Sequence, residues 1–120
     1  MRKIFYLMAI IIMFVCLIAV EALDKIVSSS GKTLIVIDYS TTWCGPCKMV
    51  FPKYQELSDR INDVVFLKCI GDTSNEASAL MKREGVRSVP AFHMWKNGAR
   101  VDIINGARIE DVEAAVNNLK

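Results

Sequence analysis

The sequence predicts an α/β domain in which a single mixed β-sheet carries helices on both faces. Apolar runs rich in β-branched residues, Leu34–Ile37 and Val64–Ile70, alternate with segments whose apolar residues recur at helical spacing, as in parallel strands joined by helices. A second observation is Asn97-Gly98, which separates two further strand-like runs and is a strong signal for an antiparallel hairpin. The 120 residues are enough for one such domain.

Each element follows from its own pattern. The run from Thr33 to Tyr39 is β-branched and apolar on both faces, which predicts a central parallel strand. A helix is predicted from Cys44 to Asn62, with a kink at Pro52 and an apolar stripe at Val50, Tyr54, Leu57 and Ile61. The remaining predicted elements are a strand at Val64–Ile70, a helix that begins with a capping box at Thr73–Glu76 and ends near Gly85, strands at Ala91–Lys96 and Arg100–Asn105, and a closing helix with apolar residues at Ile109, Val112, Val116 and Leu119.

The first 22 residues differ in composition from the rest. Met1-Arg2-Lys3 is a short basic start, and Ile4–Val20 contains no charged residue and no helix breaker, which is typical of a membrane-directed segment. This run is longer than the roughly 7–15 apolar residues of a signal peptide and at the short edge of the roughly 17–25 that span a bilayer. We expect residues 1–22 to be a signal peptide cleaved after Ala22, or an uncleaved membrane anchor.

Either role places the domain, residues 23–120, in the secretory or endomembrane lumen or outside the cell, or on the non-cytosolic side of a membrane. A third interpretation is that the segment is a buried first strand and helix. Residues from Val20 to Val27 have the pattern of a helix, so the first helix of the domain is expected to begin near residue 20. Cleavage after Ala22 would cut into that helix, and anchoring therefore stays open.

The charge balance argues against a nucleic-acid partner. Residues 1–22 hold two of the 15 basic and one of the 13 acidic residues, so the remainder carries 13 basic and 12 acidic side chains. A net charge this close to zero gives no electrostatic footprint for nucleic acid or for an acidic surface. Contact with a membrane is expected only through the N-terminal segment.

The stretch Trp43–Lys48 reads WCGPCK and places two thiols two residues apart at a strand-to-helix turn. Cys44 is expected at the first turn of the helix, where the helix dipole and free N–H groups stabilise a thiolate. Cys47 lies one turn later, within reach of Cys44 but shielded by the helix. Gly45 allows a tight turn, and Pro46 suits the first turn because its missing N–H costs nothing there. The spacing predicts a reversible disulfide.

Two other interpretations of the cysteine pair are weaker. A zinc site needs four ligands, and the sequence has no second C-x-x-C and no spaced Cys/His pair. A purely structural disulfide with so short a loop would add little stability. Cys69 falls in the predicted buried strand Val64–Ile70 and is expected to be a core residue, and His93 is expected to be a half-exposed strand residue.

The residues that carry a family resemblance are WCGPCK, Asp38, Pro52, Lys68, the pair Val89-Pro90, Lys96-Asn97-Gly98 and Gly106. On these residues, the chain resembles the thioredoxin family from about Val20 to Lys120. The resemblance implies the thioredoxin fold and a thiol-disulfide oxidoreductase that acts chiefly as a protein-disulfide reductase. It also implies that neither a metal nor an organic cofactor is needed. The expected partners are disulfide-containing proteins and an upstream thioredoxin reductase or other electron donor.

The resemblance also implies residue roles. Cys44 is the nucleophile, Cys47 is the resolving cysteine, and Asp38 is a buried carboxylate that carries the Cys47 proton. Lys68 is the expected partner of Asp38. From the residues alone, Asp38 could equally be a strand end that faces water, and Lys68 a surface lysine.

Several further residues are expected to shape the site. Trp43 shields it, and the others are Gly45, Pro46, Val89, Pro90 and Gly106. The Val89-Pro90 bond is expected to be cis and to bring its backbone beside Cys44, where an extended substrate pairs with an exposed strand edge.

Two alternative functions remain open. Export would suit an oxidase or isomerase of the secretory pathway, although Gly45-Pro46 is the dipeptide of reducing thioredoxins and oxidising relatives usually carry His in place of Pro. The domain is alternatively a non-catalytic structural subunit of a membrane or secretory complex, which would need no thiols.

Overall fold

A computed structural model describes residues 22–120. The signal peptide or anchor predicted for residues 1–22 lies outside the described residues, except for Ala22. In chain order the elements are α1 (residues 22–29), β1 (Ile35–Ser40), α2 (Gly45–Arg60), β2 (Val65–Ile70), α3 (Asn75–Arg83), β3 (Ala91–Lys96), β4 (Ala99–Asn105) and α4 (Ile109–Leu119). Within residues 22–120, the helices are all too short or too polar to cross a bilayer.

The four described strands form one mixed sheet in the order β2-β1-β3-β4. β1 pairs with β2 in parallel, while β1–β3 and β3–β4 are antiparallel. The register sets Asp38 opposite Lys68 on one side and opposite Phe92 on the other. The predicted architecture is therefore confirmed.

The two faces of the sheet are covered by different helices. One core cluster packs α2 and α4 on the sheet through Tyr54, Leu57, Val112 and Val116, with Phe66 and Phe92 from the strands. The other cluster packs Leu23 of α1 and Leu80 of α3 against the opposite face. β1 is buried along its whole length and is mainly apolar, as expected of a central strand, with Asp38 and Ser40 as its buried polar residues.

Local chemistry explains where the elements begin and end. Pro46 lies in the first turn of α2, and Pro52 lies inside that helix, as predicted. The hydroxyl of Ser74 accepts a hydrogen bond from the Ala77 N–H at 3.0 Å and caps α3. The hairpin between β3 and β4 turns at Asn97 and Gly98, which both have positive φ (55° and 78°).

Two expectations need correction. The cap of α3 is a single hydrogen bond to Ser74 rather than the predicted capping box. The third helical residue is Ala77, whose methyl group cannot accept a hydrogen bond from the Ser74 backbone N–H. His93 is not half-exposed: it is 2% exposed, and its ring packs edge-on against Tyr39 with 4.9 Å between ring centroids. Burial lowers the pKa of His93 to about 4, and the Arg100 charge adds to this.

Cys69 is a buried core residue, as predicted. It lies on β2 opposite Tyr39 and packs with the cluster under α1 and α3. Burial raises the pKa of its thiol to about 12, with a smaller contribution from Asp38. A thiol in that state is a poor nucleophile at neutral pH.

Candidate active site

The two cysteines lie where β1 gives way to α2. Cys44 is the N-cap residue of α2, with extended backbone angles (φ −84°, ψ 110°), and its Sγ accepts a hydrogen bond from the Cys47 backbone N–H at 3.1 Å. The structure contains the Cys44–Cys47 disulfide, with 5.3 Å between the Cα atoms. When the pair is reduced, the same N–H and the N-terminal end of a 16-residue helix are in position to stabilise a Cys44 thiolate.

A second segment of backbone approaches the sulfur from the start of β3. The Val89-Pro90 peptide bond is cis, and the Val89 carbonyl oxygen lies 3.7 Å from Cys44 Sγ. The Pro90 carbonyl accepts a hydrogen bond at 2.8 Å from the N–H of Gly106, which has φ +91°. Glycine suits that position because residues with a side chain rarely adopt this φ. Gly106 thus ties the end of β4 to the loop beside Cys44.

The cysteines themselves are almost covered, but their surroundings are apolar and exposed. Cys44 and Cys47 are 4% and 2% exposed, whereas Trp43 is 73% and Met49 is 78% exposed. Met49 was not among the predicted site residues. Its position on α2, off the inward stripe that includes Val50, is the signal that would have identified it. Each of these two large apolar side chains is exposed to water and lies within two residues of a cysteine in the chain, which suits them to protein contact.

Asp38 is buried completely and faces Lys68. The carboxylate is 0% exposed, and its Oδ2 lies 3.6 Å from the Lys68 Nζ, whose side chain is 14% exposed. Burial raises the pKa of Asp38 to about 6, and the Lys68 charge opposes that rise. Neither carboxylate oxygen has a hydrogen-bond partner among the described residues. The structure thus brings the two predicted residues together and shows that Asp38 does not face water.

Tyr54 lies next to this carboxylate and was not predicted as a site residue. Its hydroxyl is within hydrogen-bond distance of the carbonyl oxygens of Leu67 (2.8 Å) and Val36 (3.1 Å), which lie on the neighbouring strands β2 and β1. Burial raises the pKa of Tyr54 well above its usual value, and the Asp38 charge adds to the rise. The phenol therefore stays protonated and fixes α2 on the two strands that carry the ion pair.

A cavity of about 420 Å³ is lined by both the resolving cysteine and Lys68, the partner of Asp38. Its walls include Cys47, Phe51, Lys68 and Ile70, and they are mainly apolar. Phe51 holds its ring 3.7 Å from the Lys68 Nζ, measured to the ring centroid. A larger groove of about 750 Å³ beside Asp72 is lined by none of the predicted site residues, so cavity size does not identify the site.

The loop that precedes Trp43 is held by a residue 30 positions further along the chain. The carboxylate of Asp72, just after β2, accepts hydrogen bonds from the Thr42 backbone N–H at 3.0 Å and from the Thr42 hydroxyl. These bonds lower the pKa of Asp72. Sequence reasoning missed this contact because nothing local to either residue signals it.

One expected reason for a glycine does not hold. Gly45 does not have a positive φ, and a Cβ added there would meet nothing within 4 Å. Neither a tight turn nor crowding therefore requires glycine at this position. The missing side chain instead leaves open space next to Cys44.

Comparison with known proteins places this geometry in a family. The Thioredoxin family model matches residues 14–118. The chain belongs to the thioredoxin family. The predicted resemblance and the thioredoxin fold are therefore confirmed.

Two individual thioredoxins share more than a third of their aligned residues with the chain. It is 43% identical over 91 residues to thioredoxin F2, chloroplastic, of Arabidopsis thaliana, which covers 76% of this chain and 48% of that protein. It is 38% identical over 99 residues to the thioredoxin of Oryctolagus cuniculus, with coverage of 82% and 91%. This chain spans about half the length of the chloroplast relatives that it matches.

A solved structure gives the same result in three dimensions. A chain in the crystal structure of the complex of ferredoxin:thioredoxin reductase and thioredoxin f2 is 40% identical, with a TM-score of 0.73. The match covers 78% of this chain and 84% of that one. In the present chain, the cysteine pair, the Val89 carbonyl and the Asp38–Lys68 pair lie toward the same end of the sheet.

Proposed function

We propose that this member of the thioredoxin family is a thiol-disulfide oxidoreductase that reduces protein disulfides through Cys44 and Cys47. One observation carries the proposal: Cys44 Sγ lies at the N-terminal end of α2, 3.1 Å from the Cys47 backbone nitrogen and 3.7 Å from the Val89 carbonyl oxygen. A sulfur in that position has a donor for its thiolate and a backbone edge beside which an extended substrate fits. The similarity to proteins named thioredoxin supports the same activity.

The proposed reaction transfers two electrons and two protons to the substrate. The Cys44 thiolate attacks one sulfur of a substrate disulfide, which forms a mixed disulfide and releases the other sulfur as a thiolate that takes up a proton. Cys47 then loses its proton and attacks Cys44 Sγ, which forms the Cys44–Cys47 disulfide and releases the second substrate thiol. The enzyme dithiol is oxidised as the substrate disulfide is reduced.

Asp38 is the proposed acceptor of the Cys47 proton. A carboxylate with a pKa of about 6 is ionised at neutral pH yet basic enough to take up a proton during the resolving step. Its partner Lys68 lines the same cavity as Cys47, which supports a short path for the proton from the Cys47 thiol to the Asp38 carboxylate. The exposed pair Trp43 and Met49 is the proposed contact surface for substrate proteins.

The roles of the two cysteines are tested by trapping. Cys47→Ser should accumulate mixed disulfides with an oxidised protein substrate, visible on a non-reducing gel. The attacking Cys44 thiol is still present, but no second thiol is left to release the substrate from it. Cys44→Ser is the matched control and should trap nothing, since Cys47 is shielded. Equal trapping by both variants would contradict the assignment of nucleophile and resolving cysteine.

The alternative functions are not favoured by the similarity to thioredoxins. A structural subunit would keep its function in a Cys44→Ser, Cys47→Ser double variant, because scaffolding needs no thiols. In a glutathione buffer, an oxidase would oxidise reduced test proteins faster than it reduces protein disulfides. Each result would replace the reductase assignment.

The next turnover requires an upstream electron donor. The proposed partner is a reductase that reduces the Cys44–Cys47 disulfide. The crystal structure of the complex of ferredoxin:thioredoxin reductase and thioredoxin f2 supports that class of partner, because it contains a related chain. Regeneration of oxidised protein by purified reductases of different electron sources, followed by free-thiol counting, identifies the donor. Failure with every reductase, while small dithiols work, would count against a protein donor.

The proposed location is a membrane-bounded compartment reached through residues 1–22. The support is the basic start followed by an uncharged apolar run, which are sequence features. The specific proposal is the secretory lumen. The competing proposal is an organelle such as the chloroplast, which the name of one relative contains. A reporter fused to residues 1–22 that stays in the cytosol would contradict both, and one that enters membranes uncleaved would indicate an anchor.

A further inference from the structure

The Lys68 ammonium lies between two partners rather than one. Its Nζ is 3.6 Å from Asp38 Oδ2, too far for a good hydrogen bond, and 3.7 Å from the centroid of the Phe51 ring. A cation over the face of an aromatic ring is attracted by the electrons of that face, and the attraction strengthens when water is excluded. The Lys68 side chain is 14% exposed, so water competes weakly for the ammonium.

Phe51 is placed for this contact by its position on α2. It follows Cys47 by four residues, which puts the two side chains on neighbouring turns of one helix face. The Phe51 ring is partly buried against the core under α2. With Cys47 and Lys68, it forms part of the wall of the 420 Å³ cavity. The ring therefore lies where the ammonium would otherwise be free to move into the cavity.

We propose that Phe51 is a positioning residue that holds the Lys68 ammonium against Asp38 and thereby sets the pH range in which that carboxylate accepts the Cys47 proton. The last clause rests on the proposed function, whereas the effect of Phe51 on the carboxylate does not. Nothing in the motif WCGPC specifies an aromatic residue four positions after its second cysteine.

Other groups packed around Asp38 leave Lys68 as its charged partner. From α2, Tyr54 adds a phenol that remains protonated; the Cys69 thiol of β2 also remains protonated and lies in the core cluster of the opposite sheet face. β3 places Phe92 opposite Asp38, and α4 contributes the apolar side chains Val112 and Val116 to this face. Within the described residues, the position of one ammonium thus governs the charge near the carboxylate.

The direction of the effect follows from what the ring does to the ammonium. Phe51→Leu keeps an apolar side chain in the wall but removes the aromatic face, so the ammonium moves more often into the cavity and away from Asp38. The pKa of Asp38 should then rise, by about half a unit, because its opposing charge is further away. Phe51→Tyr retains the face and should leave the pKa at the wild-type value.

The test is a carboxyl ¹³C NMR titration of Asp38 in the full chain, for wild type, Phe51→Leu, Phe51→Tyr, Lys68→Met and the Phe51→Leu, Lys68→Met double variant. We expect Phe51→Leu to raise the pKa, Lys68→Met to raise it further, and the double variant to match Lys68→Met. Phe51→Met is a second non-aromatic replacement, with the same expected rise, if the leucine variant folds poorly.

Two outcomes overturn the proposal. An unchanged or lower pKa in Phe51→Leu would mean that the ring does not hold the ammonium, or that it acts by excluding water. A rise of equal size in the Lys68→Met background would mean that the ring acts on Asp38 without Lys68. Single-turnover resolution of a mixed disulfide should shift its pH profile by the same half unit. That pH profile tests whether Phe51 affects the transfer of the Cys47 proton to Asp38. The titration tests the effect of Phe51 on Asp38, and the trapping experiment tests the proposed function, so either can fail without the other.

Discussion

Replacement of Asp38 by asparagine should stabilise the folded chain at neutral pH although it impairs the proposed reaction. The folded carboxyl has a pKa of about 6 against a usual value of 3.8 because it is buried. Between these two values the folded state binds more protons than the unfolded state, so the contribution of Asp38 to stability falls as pH rises. The difference between the two pKa values corresponds to about 3 kcal/mol in the free energy of unfolding, and this contribution is lost once the pH is above 6.

The assay is urea unfolding of oxidised wild type and Asp38→Asn at several pH values from 4 to 8. The variant should be close to wild type near pH 4, and its advantage should grow to at most about 3 kcal/mol by pH 7. This figure already includes the attraction of Lys68, because the Lys68 charge opposes the rise in the pKa of Asp38. Turnover at neutral pH should fall, since an amide cannot accept the Cys47 proton.

Asp72→Asn is the matched control, since it is the same substitution at the edge of the same site. Hydrogen bonds from Thr42 lower the pKa of Asp72, so this variant should lose stability, and the loss should be present above the usual carboxyl pKa and fade in acid. A gain in Asp38→Asn that does not change between pH 4 and 8 would refute the reasoning. So would a loss that grows with pH.

Other predictions follow from the same geometry. Because burial lowers the pKa of His93 to about 4, wild type should lose up to about 3 kcal/mol relative to His93→Phe as pH falls from 6.5 to 4; parallel urea titrations of equal slope would contradict this. Pro46→His should raise the reduction potential measured against glutathione, since a cationic donor stabilises the Cys44 thiolate, and an unchanged or lower potential would count against that reason. Gly106→Ala should cost about 1–2 kcal/mol in thermal unfolding because its φ is +91°, whereas Gly45→Ala should be nearly neutral.

The sequence by itself determined the elements and the identity of the reacting groups. The hairpin at Asn97-Gly98, the apolar stripe of α2 and the cysteine pair at a helix start all depend on residues close to one another in the chain. Local patterns of this kind express backbone preference and side-chain period, which a single segment carries. The sequence therefore predicted the fold class and the positions of Cys44 and Cys47.

Only the tertiary structure decided which side chains meet. Asp38 lies beside Lys68 because of the register of two parallel strands, and Thr42 donates hydrogen bonds to Asp72, which is 30 residues further along the chain. The burial of His93 also depends on the packing around its strand face, which the alternation along β3 does not reveal. Long-range register and packing depend on how whole elements dock, and many sequences with the same local pattern could dock differently. For this reason the pKa of Asp38 and the contact of Phe51 with Lys68 follow from the assembled sheet and helices, not from any segment alone.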